Sequence, residues 1–77
     1  MIALSEEQGV VLTVLLDRER RGDGPGTAEE IAAGTAWPSC RTYGVDRTRR
    51  VLGELRRLGL ARRIASRADG VRWEAQR

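Results

Sequence analysis

The chain has 77 residues, of which 40% are hydrophobic and 32% charged, with a net charge of +3; this size and composition predict one globular domain over residues 1–77. It contains no histidine and one cysteine, which excludes Cys–His and Ser–His nucleophile pairs, the usual zinc ligands and an internal disulfide. Because no P-loop, dinucleotide-binding glycine pattern, membrane-length apolar run or secretory signal is present, we expect a cytoplasmic protein that is not an enzyme and binds no cofactor or metal.

A capping box predicts where the first helix begins. Ser5-Glu6-Glu7-Gln8 has the required hydroxyl and, three residues later, the required amide. The helix is expected to run to about Arg20, where the Gly- and Pro-rich stretch "RRGDGPG" ends it. Its inward face is predicted to carry Gln8, Val11, Leu12 and Leu15, with Leu16 at the margin.

Val10 and Val14 lie on the opposite side of this first helix at helical spacing. Two branched apolar side chains there form a short strip that the same core cannot bury. We therefore predict a homodimer through the strip, with the alternative that the N-terminal residues cover it within one chain.

A second capping box, Thr27-Ala28-Glu29-Glu30, predicts a short helix through about Ala33 that stops at Gly34. The stretch from Gly34 to Val45 shows no clear period. Its Trp37 is expected to help cover the small core.

The third helix is predicted from Asp46, a good N-cap, to Leu58, and Gly59 ends it. An inner stripe at helical spacing predicts its buried side. The stripe consists of Thr48, Val51, Leu52 and Leu55. The outer side of the helix is rich in arginine.

The last segment, "ARRIASRADGVRWEA", predicts a β-hairpin. Asp69-Gly70 is a strong signal for a two-residue turn. Ile64, Val71 and Trp73 are expected to face the core. Three arginines of the same segment, Arg63, Arg67 and Arg72, are expected to face solvent or a ligand.

Charge is divided unevenly along the chain. Residues 1–38 carry three arginines and seven acids, a net charge of −4, whereas residues 39–77 carry eleven arginines and four acids, a net charge of +7. This asymmetry favours a face that binds a polyanion, although charged residues also simply solvate surfaces. Every basic residue is arginine, whose guanidinium group makes bidentate contacts to phosphate and guanine.

The order of these elements resembles the winged helix-turn-helix domain of bacterial or phage transcription regulators. The phrases that carry the resemblance are "LSEEQGVVLTVLL", "TAEEIAA", "VDRTRRVLGELRRLGLARRI" and "DGVRWEA". It implies an α+β, mainly α fold with three helices and a C-terminal β-hairpin wing. The turn between the second and third helices is longer than in this family, so either it contains an extra helical piece or the third helix begins earlier.

By that resemblance the protein is a double-stranded DNA-binding regulator. The third helix would enter the major groove and the wing would touch the backbone or the minor groove. The DNA-binding residues expected in the helix are Arg47, Arg49, Arg50 and Arg57. Those expected in the wing and the turn are Arg41, Arg62, Arg63 and Arg67. Two alternatives remain open: a protein-interaction adaptor that uses the same scaffold, and an excisionase-like recombination accessory factor.

Overall fold

Three helices are followed by an antiparallel hairpin in the computed structural model, which describes residues 3–35, 41–68 and 70–76 apart from the side chains of residues 41–43 and 66. The elements are α1 (Glu6–Arg21), α2 (Ala28–Ala33), α3 (Arg41–Arg57), β1 (Ala61–Ser66) and β2 (Gly70–Ala75). This is the mainly helical winged-helix architecture that the sequence predicts. No described helix is both long and apolar enough to cross a bilayer.

Both predicted capping boxes are confirmed. The Gln8 backbone N–H donates to the Ser5 hydroxyl at 3.2 Å, and Gln8 Oε1 accepts from the Ser5 N–H at 3.0 Å. Thr27 and Glu30 make the same reciprocal pair at 3.2 and 3.0 Å. Each box satisfies backbone donors that the first turn of a helix leaves without partners. The starts of α1 and α2 are therefore fixed by local chemistry.

The core lies where the three helices meet the hairpin. Its buried hydrophobic members are Val11, Leu15, Ala28, Ile31, Val51, Leu52, Leu55, Ala61 and Trp73. The predicted inner stripe of α3 is confirmed, since Thr48, Val51, Leu52 and Leu55 are all buried. Burying each large apolar side chain contributes about 1.5–3 kcal/mol, so this stripe holds α3 firmly in place with its arginines turned outward.

The predicted start of α3 is wrong. The helix begins at Arg41, five residues before Asp46, which is an exposed interior residue rather than an N-cap. The early extension has its own tertiary contacts, because Gly44 is buried and Val45 packs against the core. Of the two explanations for the long turn, the earlier start is the one observed. Trp37 lies outside the described residues.

The hairpin departs from its prediction in two ways. Ile64 pairs with Arg72 across the strands, whereas Arg63 pairs with Trp73; because cross-strand partners share a face, Ile64 lies on the side opposite Trp73. The prediction that Ile64 faces the core together with Trp73 is therefore wrong. Ser66 pairs with Gly70, so the loop between them is longer than the predicted two-residue turn.

The loop before α2 also touches the hairpin. Gly26 and Trp73 exchange two backbone hydrogen bonds of 3.0 and 2.8 Å. This single bridge extends the two-stranded sheet along β2 and joins the wing to the body of the molecule.

The predicted apolar strip on α1 is only partly exposed. Val14 packs against the core. It lies so close to Gly34 that a Cβ at that position would be only 3.2 Å from Val14 Cγ1. Val10 is half-buried. Val14 therefore belongs to the contact between α1 and the end of α2, and the homodimer through Val10 and Val14 stays a prediction.

Candidate nucleic-acid interface

A carboxylate of α1 contacts two arginines on one flank of α3. Arg47 Nε lies 3.3 Å from Glu7 Oε2, and Arg50 Nη2 lies 3.5 Å from Glu7 Oε1. Arg47 and Arg50 are one helical turn apart, so their side chains leave the same side of α3. Arg47 is half-buried by this arrangement, while the Arg50 side chain keeps 62% of its surface exposed.

A second contact ties the same two helices together. The side-chain amide of Gln8 donates to Glu54 at 2.9 Å, while its oxygen completes the capping box with Ser5. The first turn of α1 is thus oriented both by its own cap and by α3. Glu7, in that turn, is placed beside the arginines by a contact between residues that are 46 positions apart in the chain.

The opposite flank of α3 faces α2 and the wing across an open cleft. The cleft has a volume of about 510 Å³ and is lined by Thr27, Ala28, Glu29, Arg49, Arg63, Val71 and Trp73. Arg49 lies 3.6 Å from Asp46 and 3.9 Å from Glu29. All three of these charged side chains are more than half exposed, so both ion pairs are weak in water.

Four arginines have no acidic partner among the residues that the structure describes. They are Arg56, Arg57, Arg63 and Arg67, and all are exposed. They belong to the last turn of α3 and to the wing. Sequence reasoning assigned no role to Arg56, although it follows Arg49 by seven residues and so lies within about 20° of it around the helix.

The remaining predicted residues of the wing and turn have different surroundings. Arg62 lies 3.4 Å from its cross-strand neighbour Glu74 and stays 63% exposed. Arg63 and Arg67 are exposed, as predicted. The side chain of Arg41 lies outside the described part of the chain, so its assignment stays a prediction.

Arg72 has a structural partner, which corrects the prediction that it faces solvent or a ligand. It donates to the Pro25 carbonyl at 3.3 Å and to Glu30 at 3.2 Å, and Arg18 lies 3.9 Å from the same carboxylate. The Thr27 backbone N–H, which donates to this carboxylate, holds the pKa of Glu30 below its usual value, with smaller contributions from Arg18 and Arg72. Arg72 thus joins the wing to α2.

Comparison with known proteins supports the fold. No family model matches the chain, and no curated protein is significantly similar to it. It is similar to a solved structure of the ferric uptake regulator from Francisella tularensis with iron, with a TM-score of 0.67 and 16% sequence identity. The match covers 99% of this chain and 55% of that one, so the chain spans about half of the neighbour's length. Within the described residues, no three His, Cys, Asp or Glu side chains are grouped to hold a metal ion.

Proposed function

We propose that the protein is a regulator that binds double-stranded DNA with α3 in the major groove and the wing along the phosphate backbone. The observation that carries the proposal is how the arginines are partnered. Every other arginine whose side chain the structure describes lies within 4 Å of an acidic group, while Arg56, Arg57, Arg63 and Arg67 do not. These four occupy the end of α3 and the wing.

An arginine without an acidic partner is better suited to bind a phosphate than a paired one. It contributes its full positive charge to the local potential, and no ion pair has to break when the phosphate arrives. Each such contact releases counterions from DNA, which favours binding most at low salt. The end of α3 and the wing therefore form the surface on which DNA phosphates are most stabilised.

The dimensions of α3 fit this role. Its 17 residues make a rod about 25 Å long, and a major groove about 12 Å wide accommodates a helix. The buried stripe of Thr48, Val51, Leu52 and Leu55 keeps the rod from rotating, so Arg49 and Arg50 have fixed origins from which to reach base edges. The fold shared with a protein named as a regulator supports the same role.

A pair of charge-matched variants tests the proposal. Arg57→Ala/Arg63→Ala removes two arginines from the proposed surface, and Arg20→Ala/Arg21→Ala removes two from the end of α1, where both bind Asp17. Both variants lose two positive charges. Binding to a short mixed-sequence duplex is measured by fluorescence anisotropy at about 0.1 M salt, where each lost phosphate contact weakens binding by about eightfold.

We expect a loss of at least about tenfold for Arg57→Ala/Arg63→Ala and of less than about threefold for Arg20→Ala/Arg21→Ala. Equal losses would show that net charge, and not this surface, drives binding. If the parent protein bound no duplex but was captured by an acidic polypeptide, the adaptor function would replace the DNA-binding one.

A further inference from the structure

Glu7 places one carboxylate between two arginines of α3. Its two oxygens contact different guanidinium groups, Oε2 with Arg47 at 3.3 Å and Oε1 with Arg50 at 3.5 Å. The Glu7 side chain is 40% exposed, so its carboxylate is accessible to solvent and to a ligand that approaches this flank of α3. The neighbouring Glu6 is exposed and contacts no arginine among the described residues.

The backbone that carries Glu7 is held from two directions. The capping box of Ser5 and Gln8 fixes the first turn of α1, and the amide of Gln8 bonds to Glu54 on α3. Because these contacts do not involve Glu7 itself, its substitution leaves the cap and the Gln8–Glu54 contact intact. The first turn of α1 is therefore positioned so that the Glu7 carboxylate lies beside α3.

We infer that Glu7 is a specificity-determining residue that competes with DNA phosphates for Arg47 and Arg50 and so weakens binding to DNA of arbitrary sequence. The inference rests on the proposed function. A phosphate that approaches either guanidinium is repelled by the carboxylate and must displace it. A base edge carries no net charge, so the same carboxylate disfavours it much less, and base reading by Arg50 is retained.

The test is Glu7→Gln, with Glu6→Gln as its matched control. Both substitutions remove one negative charge from the same helical turn, and only Glu7→Gln removes the carboxylate that contacts Arg47 and Arg50. Each protein is titrated with a short mixed-sequence duplex and with a duplex enriched from a random library by the parent protein. Because freeing one arginine for a phosphate is worth about eightfold at 0.1 M salt, we expect Glu7→Gln to bind the mixed-sequence duplex roughly 5- to 10-fold more tightly than Glu6→Gln.

The slope of log affinity against log salt should also become steeper by about one unit for Glu7→Gln. Its gain on the enriched duplex should be smaller than its gain on the mixed-sequence duplex. Equal affinities of Glu7→Gln and Glu6→Gln for the mixed-sequence duplex would overturn the inference, as would weaker binding by Glu7→Gln.

A measurement without DNA separates this inference from the proposed function. If Glu7 holds Arg50, the effects of Glu7→Gln and Arg50→Gln on the free energy of unfolding, measured with urea, are not additive in a double-mutant cycle. Additive effects would contradict the contact itself. If the double-mutant cycle shows this coupling but the parent protein binds no duplex, the proposed function is refuted. The competition between Glu7 and DNA phosphates is then refuted as well.

Discussion

The arginines of this protein fall into groups that differ in their acidic partners. Arg18 and Arg72 share Glu30 and join three segments of the fold. Arg47 and Arg50 share Glu7, which neutralises part of their charge. Arg57 and Arg63, like Arg56 and Arg67, contact no acid within the described chain. Residue type alone does not distinguish these groups, since every member is the same side chain.

Glu30 is expected to make the stability of the protein depend on pH. Its folded-state pKa is depressed, first by the Thr27 N–H and then by the arginines beside it, so the stability it provides is present above the pKa of an unfolded Glu. That stability is lost as pH falls through the lower folded pKa. We expect Glu30→Gln to lower stability at neutral pH by up to about 1 kcal/mol, and to show a smaller loss on acidification than the parent protein.

Urea unfolding followed from neutral pH to about pH 3 measures this effect. Glutamine still completes the capping box, as Gln8 does in α1, so the cap is preserved. Glu29→Gln, one position away on the exposed side of α2, is the control. Parallel stability curves for the parent and Glu30→Gln would show that the Thr27 and arginine contacts do not stabilise the charged carboxylate.

Helix α3 combines a fully buried stripe with an outer side that has a gap at Gly53. A Cβ at Gly53 would meet no protein atom within 4 Å. The gap lies among Arg49, Arg50 and Arg57 on the helix surface. A glycine inside a helix costs about 0.5–1 kcal/mol relative to alanine, so its presence there lowers stability without serving the core.

Gly53→Ala is therefore expected to raise the unfolding free energy by about 0.5–1 kcal/mol. If α3 lies close to DNA, the added methyl group also weakens duplex binding severalfold. Gly9→Ala is the matched control, since Gly9 is inside α1 and a Cβ there also meets nothing within 4 Å. We expect Gly9→Ala to be stabilising and neutral for binding. A Gly53→Ala variant that is more stable and binds equally well would place the DNA farther from this part of α3.

The whole molecule carries a small net charge of +3, which conceals a strong internal asymmetry. The acids of the N-terminal half approach α3 at Glu7 and Glu29, on its two flanks. The end of α3 and the wing carry Arg56, Arg57, Arg63 and Arg67, the described arginines that have no acidic partner. Duplex binding should therefore depend on that end of the molecule and on salt.

We expect log affinity for a mixed-sequence duplex to fall against log salt with a slope of about −4 to −5, which corresponds to about five phosphates. The Arg57→Ala/Arg63→Ala variant should reduce the steepness by about two units. Titrations at several salt concentrations measure both slopes. A slope near zero for the parent would mean that phosphates contribute little and that the protein binds DNA in another way, if at all.

Local sequence patterns account for those features of the fold that depend on only a few neighbouring residues. Both capping boxes form between residues that are three positions apart. Gly59, just after α3, has a φ of 78°, a local conformation that glycine adopts freely and that ends the helix. The buried stripe of α3 follows from helical spacing alone. The order of three helices and a hairpin is predictable because local sequence patterns mark each of these elements.

Tertiary structure decided the rest, because the relevant partners are far apart in the chain. The sequence predicts that α3 starts at Asp46 because Asp46 has the local chemistry of a cap, whereas α3 extends to Arg41, where Gly44 is buried and Val45 packs against the core. The position of Ile64 depended on a strand register that a longer loop sets. Which arginines are neutralised depends on where the packing of α1 and α2 against α3 brings Glu7 and Glu29, and no local pattern encodes that distance.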